Sequence, residues 1–142
     1  MKHLILGGAR SGKSRLAEQH ASEFEAQALD VVYIATSDSR WHDAEMQNRI
    51  AQHRQQRPTH WRSVESPHQL ADTLKREARA NRCLLVDCLT LWLTNCLLAD
   101  EQAGRLKDSP QWCAERDHLL ELLPQLPGQI LFVSNEVGQG VV

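Results

Sequence analysis

The sequence predicts an α/β fold in which a mainly parallel sheet carries helices on both faces. The first observation is that runs of apolar residues typical of buried strands alternate with helical patterns along the chain. The second is that a glycine-rich stretch joins the first predicted strand to the first predicted helix. The length of 142 residues fits one domain, 1–142, which is long enough to bury a core.

The first half of the chain supplies three predicted strands and two predicted helices. The apolar run at 3–6 is the first strand, and the helical pattern at 14–27 follows the glycine-rich stretch. The β-branched run at 30–36 predicts a second strand. A helix is predicted over 41–56, and a short strand over 60–66.

Residue Ser66 marks the predicted start of the next helix, which covers 66–81. A serine can cap the free backbone N–H groups of a helix, and Pro67 would occupy the first helical position. The continuous apolar run at 82–88 then predicts a fully buried strand.

The last third of the chain predicts two further helices and a final strand. The helices cover 89–100 and 111–126, and the second one is expected to end at Pro124 and Pro127. The run at 128–135 has the apolar character of another buried strand.

The glycine-rich stretch matches the phosphate-binding pattern G-x-x-x-x-G-K-[ST] in the strand–loop–helix context that this pattern requires. Gly7 and Gly12 allow the backbone to approach a polyphosphate, whose charge is stabilised by the loop N–H groups and the helix start. Lys13 would reach the β- and γ-phosphates, and the Ser14 hydroxyl would bind Mg²⁺. The predicted nucleotide-binding loop consists of Gly7, Gly8, Ala9, Arg10, Ser11, Gly12, Lys13 and Ser14.

Two carboxylates are candidate Mg²⁺ ligands. Asp87 ends the predicted strand 82–88, and we expect this strand to lie beside the phosphate-loop strand, so that Asp87 faces the nucleotide. The alternative is that Asp87 only caps the following helix. Glu136 directly follows the last predicted strand and is a candidate Mg²⁺ ligand for the same reason. Thr90 and Asn95 are weaker candidates to cap or line the same edge.

One histidine stands out by its neighbours. His53 lies near the end of the predicted helix 41–56, with Arg54 and Arg57 close behind it. A neutral imidazole is a good nucleophile toward phosphorus, and arginines could stabilise phosphate charge or could equally be solvated. The pattern alone favours a surface histidine.

Composition restricts the class of protein. The net charge of −2 argues against a general nucleic-acid binder, because no basic excess exists to neutralise a phosphate backbone. No apolar run predicts a membrane span or a signal peptide. The four cysteines, Cys83, Cys88, Cys96 and Cys113, form no C-x-x-C pair, which favours reduced and mostly buried thiols in a cytoplasmic protein.

Several blocks together resemble one family along essentially the whole chain, the bifunctional adenosylcobinamide kinase / adenosylcobinamide-phosphate guanylyltransferases of cobalamin biosynthesis. The most specific are R-I-x-x-H-R-x-x-R-P-x-x-W, from Arg49 to Trp61, and N-E-V-G-x-G, from Asn135 to Gly140. The others are "GGARSGKSRLAE", "VVYIATS" and "LLVDCLTLWLTN".

The resemblance implies a P-loop NTPase-like (RecA-like) fold, a homotrimer and two reactions. In the first, ATP or GTP phosphorylates adenosylcobinamide. In the second, GMP passes from GTP to adenosylcobinamide phosphate through a covalent intermediate on the histidine that corresponds to His53. For phosphoryl transfer, in which the protein mainly positions groups and stabilises charge, we expect Lys13, the loop N–H groups and Mg²⁺ to act, and Arg54 and Arg57 could stabilise the charge of guanylyl transfer or could be solvated.

The same resemblance implies a longer chain than this one. The family continues past N-E-V-G-x-G with a further helix and strand, whereas this sequence ends at Val142, so we expect a domain truncated at its C-terminus. Two alternatives remain open. One is a P-loop small-molecule kinase or NTPase without a covalent intermediate, and the other is an inactive nucleotide-binding fragment.

Overall fold

The computed structural model of the protein describes residues 2–7, 13–37, 44 and 57–135. Apolar runs form the strands and the longer patterned segments form the helices, as the sequence predicts. The strands are β1 (Lys2–Gly7), β2 (Asp30–Ala35), β3 (Arg62–Glu65), β4 (Arg82–Asp87) and β5 (Gln129–Asn135). The helices are α1 (Lys13–Ala26), α2 (Leu70–Glu77), α3 (Leu89–Gln102) and α4 (Pro110–Leu122), followed by a short 3₁₀ turn at Leu123–Gln125.

The strands form one five-stranded sheet in the order β1-β5-β4-β2-β3, and every neighbouring pair is parallel. The predicted fold class, a P-loop NTPase-like parallel sheet with helices, is therefore confirmed. The expectation that β4 neighbours β1 is wrong, because β5 lies between them. Residues 130–133 of β5 are all buried, and a strand that is apolar on both faces is best covered when it lies inside the sheet.

Helices cover both faces of this sheet. Helix α1 packs on one face, where Ala17 and Ala21 meet Tyr33 and Leu85. Helices α2, α3 and α4 pack on the other face. The second core includes Val32, Ile34, Leu70, Leu74, Leu84, Val86, Trp92, Cys96, Leu119, Ile130 and Phe132.

Helix α2 begins at Leu70, so the prediction that it begins with Ser66 as its cap is wrong. The backbone N–H of Ser66 donates to the carbonyl of Ala35 at 2.7 Å, which continues the pairing of β3 with β2 by one residue. The Ser66 hydroxyl lies 2.8 Å from that of Thr73. Ser66 is therefore occupied by the end of the strand and is not available to the start of the helix.

The remaining boundaries differ from the predictions by a few residues. Helix α4 ends at Leu122 and Pro124 lies inside the 3₁₀ turn, because a proline has no N–H to continue an α-helix. The predicted helix 41–56 lies outside the described residues, except for Ala44. In the part of the chain that the structure describes, no helix combines the length and apolar character needed to cross a membrane.

Candidate nucleotide-binding site

The candidate site lies at the edge of the sheet where the parallel strands have their carboxyl ends. Strand β1 ends at Gly7, β4 at Asp87 and β5 at Asn135, so these ends lie at the same edge. Helix α1 begins at Lys13, with five residues between it and the end of β1, so a strand precedes and a helix follows the predicted phosphate-binding stretch, as that pattern requires. Ligands of open α/β sheets bind at this edge.

Several predicted site residues lie beyond what the structure describes, so their roles stay predictions. The side chains of Lys13 and Ser14 also belong to this group, although both residues lie in α1. The residues outside the described ranges are Gly8, Ala9, Arg10, Ser11, Gly12, His53, Arg54 and Glu136.

Asp87 is half-buried at the end of β4 and is held by a tyrosine. One of its carboxylate oxygens, Oδ2, accepts a hydrogen bond from the Tyr33 hydroxyl at 2.7 Å. In the register of β2 with β4, Tyr33 lies opposite Leu85, two residues before Asp87, so its long side chain points along the sheet toward the edge. The alternative that Asp87 caps α3 is wrong, since the N-cap is Cys88, whose Sγ accepts from the Leu91 N–H at 3.4 Å.

Arg57 belongs to the same cluster. Only 9% of this residue is exposed, and its guanidinium carbon lies 3.6 Å from the centre of the Tyr33 ring. This distance is that of a cation–π contact, which is stronger when the cation is shielded from water. The alternative that Arg57 is simply solvated therefore does not hold. The structure brings Arg57 and Asp87 together through Tyr33, which the sequence analysis did not single out.

The environment of Tyr33 keeps its hydroxyl protonated. Burial, the largest cause, raises the pKa of the Tyr33 phenol, and the Asp87 carboxylate raises it further, while Arg57 opposes the shift. The phenol therefore acts as a neutral hydrogen-bond donor to Asp87 over the physiological pH range. A lone tyrosine in the run "VVYIAT" was the available sequence signal, because a phenol in a buried strand needs a polar partner.

A second set of hydrogen bonds braces this edge. The Thr36 hydroxyl donates to the Cys88 carbonyl at 2.7 Å and accepts from the Cys88 N–H at 2.8 Å. The Asn95 side-chain amide donates to the carbonyl oxygens of Thr36 at 2.7 Å and Pro67 at 3.1 Å. Thr90 lies 3.2 Å, hydroxyl to hydroxyl, from Ser134. Asn95 and Thr90 therefore line the edge, as the sequence suggested, and they connect α3 to the residue that follows β2 and to β5.

A separate group of candidate metal ligands consists of His68, Cys96 and Glu115, which place one ligand atom each within 4.8 Å of one another. The pKa of the Cys96 thiol is raised, mainly by burial and then by Glu115, so the thiol keeps its proton. The carboxylate of Glu115 is already bonded to three N–H donors. These donors are the Trp92 indole at 2.9 Å, the Gln69 backbone amide at 2.6 Å and the Gln111 side chain at 2.9 Å. We assign this group to the packing of α3 against α4.

Known proteins are similar to this chain along its length. The family model described as cobinamide kinase / cobinamide phosphate guanyltransferase matches residues 3–142. The bifunctional adenosylcobalamin biosynthesis protein CobP of Pseudomonas aeruginosa is 58% identical over 142 residues, which cover 100% of this chain and 75% of that relative. Proteins named bifunctional adenosylcobalamin biosynthesis protein CobU are 38% identical in Escherichia coli and 37% identical in Salmonella typhimurium. Each covers 100% of this chain, which spans 78% of that relative.

Proposed function

The chain belongs to the cobinamide kinase / cobinamide phosphate guanyltransferase family, and on that premise we propose that it catalyses two consecutive transfers to one corrinoid. The first transfers the γ-phosphate of ATP or GTP to the hydroxyl of the aminopropanol arm of adenosylcobinamide. The second transfers GMP from GTP to the new phosphate and releases pyrophosphate, which gives adenosylcobinamide-GDP. The family match over residues 3–142 is the observation that carries this proposal.

Phosphoryl transfer is assigned to the phosphate-binding loop and Asp87. In this kind of reaction the protein mainly positions the reacting groups and stabilises negative charge. Lys13 and the loop N–H groups would bind the phosphates, and Ser14, Asp87 and Glu136 would hold Mg²⁺, which prefers such oxygen ligands. The place of Asp87 at the carboxyl end of β4, on the same edge as the start of α1, fits this assignment. Mg²⁺, when bound, would neutralise charge on the phosphates.

Guanylyl transfer is assigned to His53. Its imidazole nitrogen would attack the α-phosphorus of GTP, and the bond to the β-phosphate oxygen would break, so that pyrophosphate leaves toward the loop. An oxygen of adenosylcobinamide phosphate would then attack the same phosphorus and release the histidine. Arg54 and Arg57 would stabilise the charge on the α-phosphate, and the buried position of Arg57 against Tyr33, which bonds Asp87, supports its part.

The experiment is an intact-mass spectrum of the protein after incubation with GTP and Mg²⁺, recorded before and after mild acid. We expect an acid-labile GMP adduct, because a phosphoramidate bond to histidine is hydrolysed in acid. His53→Ala should lose the adduct and retain phosphorylation of adenosylcobinamide. The matched control is His118→Ala, whose side chain is 49% exposed on α4, and which should retain the adduct. Lys13→Ala should lose both activities, because one loop serves both.

Other results would point to the alternatives. Phosphorylation without any adduct would favour a P-loop kinase that lacks a covalent step. Nucleotide binding without turnover would favour an inactive nucleotide-binding protein. An adduct that persists in His53→Ala would overturn the assignment of the nucleophile.

We also propose a homotrimer in the cytoplasm with no nucleic-acid partner. The family resemblance supports the trimer, and the net charge of −2 supports the absence of nucleic-acid binding. Light scattering on the purified protein measures the oligomeric state directly.

A further inference from the structure

We propose that Tyr33 is a positioning residue that orients both the Asp87 carboxylate and the Arg57 guanidinium toward the bound nucleotide. This inference rests on the proposed function of the same site. It assigns a role to a buried side chain that neither transfer uses directly.

The first step of the argument is the contact with Asp87. Tyr33 is 7% exposed and lies in the core between the sheet and α1, yet its hydroxyl reaches Oδ2 of Asp87 at 2.7 Å. A phenylalanine would fill the same part of the core without placing a hydroxyl beside a carboxylate. A hydrogen bond to an ionised acceptor has a strong directional preference, so this contact restricts the rotation of the carboxylate.

The choice of donor also matters for a carboxylate that is proposed to hold Mg²⁺. A lysine in the same place would neutralise the negative charge and compete with the cation. The phenol leaves the charge on Asp87 intact, because its hydroxyl donates a hydrogen bond at 2.7 Å and brings no positive charge. Outer hydrogen-bond partners of this kind are known to orient metal-binding side chains.

The second step is the contact with Arg57, which uses a different part of the same side chain. The guanidinium carbon lies 3.6 Å from the centre of the ring, while the hydroxyl at the end of the ring is bonded to Asp87. Tyr33 therefore holds both Asp87, the anionic group that would bind Mg²⁺, and Arg57, the cationic group that would contact the phosphates. The rigid strand β2, paired with β3 and β4 on either side, carries this side chain.

Two substitutions separate the two contacts. Tyr33→Phe removes the hydroxyl and keeps the ring, whereas Tyr33→Leu removes both. The first measurement is the thermal stabilisation of the protein by a non-hydrolysable GTP analogue, titrated with Mg²⁺. For Tyr33→Phe, we expect the Mg²⁺ concentration at half of the full stabilisation to rise roughly tenfold. Its rate of GMP-adduct formation at saturating Mg²⁺ should stay within roughly threefold of the wild-type rate, because the ring still supports Arg57.

Tyr33→Leu should show the same change in Mg²⁺ requirement. In addition, its rate of GMP-adduct formation should be at least roughly tenfold lower than the wild-type rate, and excess Mg²⁺ should not restore it. Arg57→Gln should reproduce the loss of rate without the change in Mg²⁺ requirement. It therefore tests the second contact even if Tyr33→Leu does not fold.

The matched control is Trp61→Phe. Trp61 is 6% exposed in the same core cluster, and its indole N–H donates to Oε2 of Glu25 at 3.0 Å, so the substitution also removes one partly buried hydrogen bond to a carboxylate. It should leave the Mg²⁺ requirement unchanged. If Tyr33→Phe behaves like Trp61→Phe, Tyr33 only packs the core and the inference is wrong.

The failure of this inference can be told apart from the failure of the proposed function. A wild-type protein that forms no GMP adduct would overturn the function. The thermal Mg²⁺ titration needs no turnover and would still decide the role of Tyr33 toward Asp87. A wild-type protein that forms the adduct, with Tyr33→Leu forming it at the wild-type rate, would overturn the contact with Arg57 while the function stands.

Discussion

At the scale of single residues, the side chains at the carboxyl edge show how burial changes chemistry. Asp87 was found from its place at the end of an apolar run, and the structure confirms that place. Arg57 had two open interpretations, and its burial against the Tyr33 ring excludes the solvated one, while its role toward phosphate stays a prediction. The four cysteine thiols also differ in their burial. Cys83 and Cys96 are buried as the sequence predicts, whereas Cys88 and Cys113 are half-buried.

Cys83 provides a prediction on pH dependence. It is fully buried in β4, and burial raises its pKa from an ordinary value of 9.0 to about 12. The folded protein thus keeps the thiol proton to a higher pH than the unfolded chain does. The thiol contributes stability that is fully present below about pH 9 and is lost as the pH rises toward about 12.

Cys83→Ala should therefore make the free energy of unfolding fall less steeply with pH in this range, by up to about 1.4 kcal/mol per pH unit. Denaturant unfolding of both proteins at a series of pH values measures the two slopes, and the range below pH 8 serves as the internal control. Equal slopes for the variant and the wild type above pH 9 would contradict the prediction.

At the scale of elements, the start of α4 shows a cap that comes from another helix. Ser109 precedes the helix, yet its hydroxyl donates to the Leu106 carbonyl. The backbone N–H groups of Gln111 and Trp112 donate instead to the two oxygens of Asp100, at 2.9 and 3.1 Å. Asp100 is 2% exposed and belongs to α3, so it caps α4 and fixes α4 against α3.

Asp100→Ala should lower the free energy of unfolding by about 2 kcal/mol, because two backbone N–H groups lose their acceptor. Asp100→Asn keeps one acceptor oxygen and should lose less. The matched control is Asp117→Ala on the surface of α4, where the carboxylate is 66% exposed and pairs with Arg116. It should change stability by less than about 0.5 kcal/mol. Equal effects of Asp100→Ala and Asp117→Ala in denaturant unfolding would refute the capping role.

At the scale of the whole molecule, two turns approach closely where β4 and β5 begin. Gly128 lies just before β5 with φ at +79°. A Cβ atom there would lie 2.2 Å from the carbonyl oxygen of Arg79 and 2.6 Å from that of Arg82. The turn that precedes β5 therefore contacts the turn that precedes β4, and only glycine allows this contact.

Gly128→Ala should destabilise the protein more strongly than Gly104→Ala, which is a matched control with φ at +71°. A Cβ at Gly104 would meet no atom of the described residues within 4 Å, so only the cost of the left-handed backbone applies, about 1–2 kcal/mol. At Gly128 the clash with backbone oxygens should add at least about 2 kcal/mol. Thermal and denaturant unfolding measure the difference, and similar losses for both variants would show that the two turns can separate without cost.

Much of the fold could be predicted from the sequence, because the signals for its elements are local. Apolar runs, helical periodicity and the glycine pattern arise from short stretches of backbone and side chain, and they predicted the five described strands and the parallel α/β class. The order and spacing of the motif residues along the same stretches also led to the family, which the comparisons show. The roles of His53 and the phosphate-binding loop remain predictions from that same local pattern.

The tertiary structure alone decided which distant residues meet. The sequence does not encode the order β1-β5-β4 in any local run, since it depends on how strongly each strand is buried within the sheet. Tyr33 meets Asp87 across 54 positions of the chain, and Asn95 meets Thr36 across 59. Such contacts depend on strand register and on the packing of helices against the sheet. A short segment cannot specify them, because both partners must first be placed by the rest of the core.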